Sequence, residues 1–443
     1  MPLNYGTTAI PSDSYSVIEG GTVQVGAAFD RSVGIVGGMD TDNGTASPGS
    51  AYEVSSTADA IGKFGEDSEL HRQVELAFKN GAVTVYAYPV TETTGTTESF
   101  STTQDGTLQD VPFNPEIHPE HEITAQDTTE GATVDVEIYY GDPTTNYPSD
   151  ANTIRLNPVT KQWGADESSS YDIAYDAGDY GTTAIEGILD KEPRKVALLR
   201  ENTSEIESLG TELSDRATAF QFSSGFAGIQ PFVDPSSPDI TGYTDTLDDE
   251  RLSVVASPFG YVDEAETNMQ RTAGAVAAEA ASLPLGVSST NNSLRGFTGL
   301  RTELTPSQAG DLVDEQVLPL IDYPPVTIVK DMTTSTTQKF ERVYAMGVID
   351  EATEVSHRIN RQFVGGQNTS ERRNQLARSH KNSYKGFTTT SPRLLDNYAV
   401  GVEEDSTNDK QVNVTIGLDV VDVMDSIEVS MTVGDVVNPA EVS

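Results

Sequence analysis

Ser32-Val-Gly-Ile-Val-Gly-Gly-Met-Asp40 is the stretch from which the rest of this chain is read. A short apolar run ending in glycines is a buried strand feeding a turn. A polar loop through Gly44 and Gly49 follows. Leu70, Val74, Ala77 and Phe78 then fall at i, i+4, i+7 and i+8, the spacing of one helical face. Gly81 stops that helix, because glycine adopts the left-handed conformation after a last turn at little cost. Val83-Thr-Val-Tyr-Ala-Tyr88 is a second strand. Strand, helix and strand in that order specify an α/β layer. The glycines invite a dinucleotide-binding reading. However, Gly34, Gly37 and Gly38 lack the G-x-G-x-x-G order, and no helix opens at once after them.

The same rhythm resumes at residue 182. Ile185, Ile188 and Leu189 predict a short helix, and Lys195-Val-Ala-Leu-Leu199 a strand. A helix is expected around 204–219, carrying Ile206, Leu209, Leu213 and Ala217. A Pro- and Asp-rich loop fills 230–250, and Leu252-Ser-Val-Val-Ala256 is a buried strand. A helix of small residues is expected over 264–282, strands at Leu294–Leu300 and Val326–Val329, and a helix near 306–318 between them. Such alternation argues a mainly parallel or mixed sheet with covering helices.

Residues 91–181 differ. They hold 18 acids against Arg155 and Lys161 alone. Alternating runs at Val134–Tyr139, Thr153–Leu156 and Tyr171–Tyr175 are separated by turn residues, which describes an all-β domain inserted into the α/β core. Trp163, the only tryptophan, is expected to pack inside it.

Both ends read as arms. In residues 1–30 Tyr15 and Val17, then Val23 and Val25, alternate with polar neighbours. Residues 396–443 alternate at Val412, Val414 and Ile416, and again at Ile427, Val429, Met431 and Val433, with a turn at Asn408-Asp409. A one-sided strand pattern needs a sheet to join, in this subunit or in a neighbour. The division is therefore 1–30 arm, 31–90 first part of the core, 91–181 insertion, 182–395 rest of the core, and 396–443 arm.

Charge singles out one further stretch. The chain has 69 acids, 27 bases and a net charge of −42, yet residues 356–395 hold eight bases and only Glu371 as acid. Phe340, Val343, Tyr344, Val348, Val355, Ile359 and Phe363 suit a long amphipathic helix broken at Gly365-Gly366. Asn368 and Glu371 resemble a capping pair for a second helix. On it Leu376, His380 and Tyr384 share one face, while Arg378, Lys381 and Lys385 share another at i, i+3 and i+7. These cations either dock on an acidic partner or neutralise the protein's own carboxylates.

The totals exclude several classes. Lysine is scarce, at 10 against 17 arginines, and the acidic skin fits high salt, where charge is screened. Such a surface repels duplex nucleic acid. The absence of cysteine rules out disulfides and thiolate chemistry. The start, MPLNYGTTAIPSDSYS, has no basic n-region and no apolar h-region, so no secretory signal is expected. No run of about 18 apolar residues exists to insert in a membrane. His118 and His121 lie among Glu116, Glu120 and Glu122, but Pro119 denies them the helical spacing of a zinc site. No phosphate loop or nucleophile elbow is present. Neither catalytic, cofactor-binding nor metal-binding residues are assigned.

In order along the chain, Val33-Gly-Ile-Val-Gly-Gly38 after an arm, then Phe64-Gly65, Leu70, Ala77-Phe78 and Gly81-Ala-Val-Thr-Val-Tyr86, then a long helix to Phe363, a basic helix to Gly386 and closing strands, resemble the contractile tail sheath proteins of myovirus-type viruses and related injection machines. The likeness covers about 1–90 and 182–443; residues 91–181 sit where such proteins carry a variable protrusion. About 225–300 matches in rhythm only, and the acidity fits a haloarchaeal virus. The resemblance implies a homo-oligomer of six-membered rings stacked as a helical sheath in a virion tail. It would assemble in the host cytoplasm around an inner tail tube, between baseplate and tail terminator proteins. It implies that both arms add strands to neighbouring subunits, through Val17, Val23, Val25, Val412, Val414, Ile416, Ile427, Val429 and Met431. Arg378, Lys381 and Lys385 would face the tube, and contraction would need no cofactor. Two alternatives stand beside it. One is an α/β enzyme acting on a sugar or nucleotide, the other a non-contractile tube or surface-layer subunit.

Overall fold

A computed structural model describes residues 31–101, 106–107, 124–129, 131–138, 153–157, 162–165, 170–229, 247–265, 268–323, 325–408 and 410–422. Val17, Val23, Val25, His118, His121, Ile427, Val429 and Met431 lie outside them.

The opening stretch is strand β1 (Ser32–Gly37), every residue of which is buried. Strand β2 (Tyr52–Val54), helices α1 (Thr57–Phe64) and α2 (Glu69–Lys79) and strand β3 (Thr84–Pro89) follow. Ser56 and Ser68 cap the two helices by accepting the backbone N–H groups of Asp59 and His71. Parallel partners flank β1: Ile35 stands opposite Ala87 of β3 and Ala197 of a later strand.

Residues 92–178 contribute only strands among the described residues: β4 (Glu92–Ser101), β5 (Gly106–Thr107), β6 (Thr124–Asp127), β7 (Thr133–Ile138), β8 (Thr153–Asn157), β9 (Gln162–Ala165) and β10 (Ser170–Gly178). They form one sheet in the order β4-β10-β6-β7-β8-β9-β5. Trp163 is buried there, edge-on to Tyr171 with ring centroids 6.3 Å apart. The sheet is tied off at its root, where Asp179 N donates to Thr91 O at 2.8 Å.

The second half supplies α3 (Thr182–Leu189), β11 (Lys195–Leu198), α4 (Thr203–Thr218), β12 (Ser224–Gly228), β13 (Leu252–Ala256), β14 (Phe259–Tyr261), β15 (Met269–Arg271), α5 (Ala273–Ser282), β16 (Gly299–Leu300), α6 (Pro306–Asp314), β17 (Leu318–Ile321) and β18 (Thr327–Ile328). The core sheet runs β18-β17-β13-β12-β11-β1-β3-β2. It is parallel except for its two edge strands. Alternating residues feed opposite faces. Val33, Ile35 and Ala197 pack with the alanines of α5, whereas Val36, Val196 and Leu198 pack with α3 and α4. Two expected helices are shorter than the spacing implied. Residues 269–271 pair with β14 as a strand, and Leu318–Ile321 is a strand of the core sheet rather than a helix end. Of the expected Leu294–Leu300 strand only Gly299–Leu300 forms.

The described residues close with α7 (Val343–Phe363), α8 (Ser370–Phe387) and a hairpin of β19 (Leu395–Glu404) and β20 (Val412–Val420). This unit has its own apolar cluster, with Val348, Ala352, Val355 and Ile359 of α7 against Leu376, Tyr384 and Phe387 of α8. Buried ion pairs fasten α7 to the sheet: Arg251 to Asp350 at 2.6 Å, and Arg342 to Asp331 at 2.6 Å. The cap of α8 is Thr369, whose hydroxyl accepts Arg372 N, rather than Asn368 with Glu371. Asn368 instead accepts from Arg373 at 2.7 Å.

Candidate functional site

In an open α/β sheet, ligands are received beyond the carboxyl ends of the strands, where the strand order reverses. Here the order reverses between β1 and β11. That crevice is filled by the protein's own side chains. Arg271, at the end of β15, donates from Nε to Glu201 at 2.7 Å and from Nη1 to Glu69. Glu69 also accepts Gly38 N at 2.8 Å and the Tyr180 hydroxyl at 3.1 Å. Arg200 lies over the Tyr180 ring at 5.3 Å. Burial and the Glu69 charge push the Tyr180 hydroxyl well above its ordinary range. Burial alone would lower Arg271, but Glu201 and Glu69 hold it firmly protonated. A phosphate entering here would meet two carboxylates.

The glycines of β1 have a packing role. A Cβ at Gly34 would lie 2.7 Å from Ile188 Cγ1, and one at Gly37 would lie 2.6 Å from Leu199 Cδ1. They let α3 and the end of β11 close on the strand. A cavity lined by Lys195, Leu285, Val343 and Tyr344 measures about 40 Å³, against roughly 300–1,000 Å³ for a small-molecule site. Among the described residues no group of three His, Asp or Glu could hold a metal ion.

The basic island divides into cations held within the chain and cations left over. Arg358 pairs with Glu351 at 3.2 Å, Arg373 with Glu404 at 3.1 Å and Arg393 with Asp396 at 2.9 Å. Arg372 stacks over Phe363 at 5.3 Å, and Arg361 acts on His357. Arg378, Lys381 and Lys385 are exposed and form no ion pair among the described residues. Two turns of α8 space them over about 10 Å. Neutralisation of the protein's own carboxylates thus accounts for Arg358, Arg373 and Arg393.

The opposite face of α8 is dry. Tyr384 donates to Ala352 O at 2.9 Å, and burial pushes its hydroxyl up to about 12. His380 stacks on Tyr384 with ring centroids 6.0 Å apart. Burial pushes His380 from 6.5 down to about 4. The neutral ring then donates Nε2–H to Asn360 Oδ1, 2.9 Å away. Below pH 6.5 the unfolded chain binds a proton at this ring that the folded chain refuses. Stability from His380 is therefore full above 6.5 and is lost as pH falls toward 4. Amide exchange in α8 is expected to accelerate over that window. His380→Phe is expected to flatten the dependence; an equal slope in both proteins would refute the assignment.

The hairpin carries the described part of the C-terminal arm. Val412, Val414 and Ile416 line one face of β20, half-buried against α7 and α8 with Tyr398, Val400 and Val402 of β19. Its turn is held by Asp405, which accepts from Thr407 and Asn408 backbone N–H groups at 2.8 and 3.0 Å. The side chains thus dock on their own subunit. The outer backbone edges of β19 and β20 have no partner strand among the described residues.

The geometry agrees with what comparison finds. The helical sheath protein of the anti-feeding prophage in its contracted state superposes with a TM-score of 0.58 at 11% identity, covering 96% of this chain and 100% of that one. The sheath of an extracellular contractile injection system, the PVC complex in its contracted state, gives 0.57 at 12%, covering 97% and 99%. A sheath tail protein from Desulfitobacterium hafniense gives 0.54 at 13%, covering 92% and 100%. At these identities the likeness is one of fold: the protein has the mixed α/β fold of the sheath proteins. No curated protein matches the sequence. The family described as DUF2586, N-terminal domain, matches over residues 21–356, most of the chain's length, and the chain belongs to that family.

Proposed function

We propose that this chain is the structural subunit of a contractile sheath. It polymerises as stacked six-membered rings around an inner tube and shortens to drive the tube through a host envelope. The observation that carries this reading is the sheath-type fold along nearly the full length of both compared chains. The filled switch point supports it too, because an enzyme of this fold class needs that crevice open. Arg378, Lys381 and Lys385 face an acidic tube surface. The free edges of the β19–β20 hairpin accept strands lent by neighbouring subunits, from 1–30 through Val17, Val23 and Val25, and from 423–443 through Ile427, Val429 and Met431. Main-chain ladders supply the affinity and the alternate side chains set the register. The extended state is held by kinetic stability, so contraction draws on energy stored at assembly. Baseplate and tail terminator proteins bound the polymer. The acidic surface suits a virus of a salt-loving archaeal host, with assembly in the host cytoplasm.

Electron microscopy of the purified protein in molar salt is the test. Hollow, helically striated tubes are expected from the full chain, and deletion of residues 423–443 is expected to leave rings or single subunits. Discrete small particles from the full chain would sink the sheath reading. Normal long tubes from the truncated chain would sink the strand exchange alone.

A further inference from the structure

Val83, Tyr323 and Val364 are the large apolar side chains exposed among the described residues. Single exposed apolar residues are common, but Val364 and Tyr323 stand in surroundings of opposite charge. Val364 closes α7 inside the basic island and is 41% exposed. Beside it, the Arg372 guanidinium that covers Phe363 lies against Gly366, where a Cβ would collide with it. Arg372 forms no ion pair among the described residues, and its buried Nε has no hydrogen-bond partner there. Glu371, on the same first turn of α8, is the one acid nearby in sequence. An arginine already fixed by stacking loses little freedom on meeting a carboxylate, which suits an interface anchor.

Tyr323 is 74% exposed on the loop after β17. Its neighbour Asp322 comes up to Tyr261: a Cβ at Gly299 would lie 3.1 Å from Asp322 Oδ2 and 3.8 Å from Tyr261 Cδ2. Thr298 donates to Asp263 O at 2.7 Å and holds a second acidic residue alongside. Residues 257–270 hold three acids and residues 302–329 five, with no base in either run. Of the bases that border these runs, Arg271 is buried with Glu69 and Glu201, and Arg301 and Lys330 are half-buried.

The two surfaces lie at opposite ends of the core sheet. α7 is fastened where strands begin. Its Glu351 pairs with Arg194, just before β11, and its Asp350 with Arg251, just before β13. Its His357 stacks on Phe220, ahead of β12, with ring centroids 3.9 Å apart. β13 and β17 run parallel, and Tyr261 and Tyr323 come after their far ends. A subunit with complementary surfaces at its two ends joins head to tail, and such contacts build rings or filaments. We propose that the tip between α7 and α8 docks on the Tyr323 surface of a second copy of this chain, with Arg372 on Asp322 and Val364 against Tyr323. The contact rests on the sheath reading and adds to it a side-chain joint separate from the lent strands.

The chain contains no cysteine, so an introduced thiol is unique. Full-length Val364→Cys and Tyr323→Cys are mixed in molar salt, oxidised mildly and run on a denaturing, non-reducing gel. Both positions are exposed, so the variants should melt with the wild type. The mixture is expected to give a disulfide-linked dimer about tenfold above either variant alone, the yield that a preference of about 1.4 kcal/mol for this pairing produces. A chain with both substitutions is expected to give a ladder of higher multimers. Arg372→Glu in the Val364→Cys protein is expected to remove the dimer, and Asp322→Arg in the Tyr323→Cys protein to restore it. No dimer in the mixture, an equal dimer from either variant alone, or a dimer undiminished by Arg372→Glu overturns the contact. So does purified tube that shields the thiol of Val364→Cys from a labelling reagent while the mixture stays unlinked. The cross-link is read whether or not tubes form, so its failure is distinct from failure of the sheath reading.

Discussion

Replacing Arg271 with alanine is expected to destabilise the core by about 3–5 kcal/mol, the range for removing one member of a buried charge pair. The loss leaves Glu69 and Glu201 buried together without their shared cation, and both are almost fully enclosed. Against a typical total of about 5–15 kcal/mol, that brings the domain close to unfolding. The denaturation midpoint in high salt measures it. A triple variant, Arg271→Met with Glu69→Gln and Glu201→Gln, is expected to recover most of the loss, because it removes the stranded charges along with the cation. A single variant within about 1 kcal/mol of wild type would mean that water already serves these carboxylates.

Reversing Arg378, Lys381 and Lys385 to glutamate is expected to abolish docking on the tube while the subunit folds normally. All three side chains are exposed on α8, away from Leu376, His380 and Tyr384. The melting temperature should therefore hardly move. In molar salt the screening length is about 3 Å, so only charges in direct contact still attract. Each contact contributes on the order of 1 kcal/mol, and reversal turns attraction into repulsion. In the proposed six-membered ring every copy repeats the effect. Co-sedimentation with purified tubes is the measurement, and undiminished decoration would remove these residues from the interface.

Much of the fold is legible in the residues because burial imposes period. β1, α2, β3, β11, α4 and β13 each carry an apolar pattern long enough to separate strand from helix. What escaped lacks that signal. β12 is Ser224-Gly-Phe-Ala-Gly228, with no β-branched residue to mark it. β17 contains Pro319 and follows a helix closely enough to read as its end. α1 buries only Ala60 and Phe64. In β19 the alternation of Tyr398, Val400 and Val402 is half-buried at most and ends in two glutamates, a weaker signal than a buried strand gives.

The basic face of α8 could be read because three cations at helical spacing stand out in an acidic chain. The charged plug of the core could not. Glu69, Tyr180, Glu201 and Arg271 are spread over 202 residues, and a carboxylate carries no information where acids are this common. The one available sign was an arginine directly before a helix of small residues, which only the fold turns into a site.

The hydrogen bond between Asp179 and Thr91 has a practical consequence. The seven-stranded sheet leaves the core and returns to it at a single point, with Glu92 and Gly178 already paired across the exit. Everything beyond that neck can be exchanged for another polypeptide whose own termini lie close together, without asking β3 or α3 to move. The protein is thus a ready chassis for grafting, with the junction fixed by two residues that already face each other.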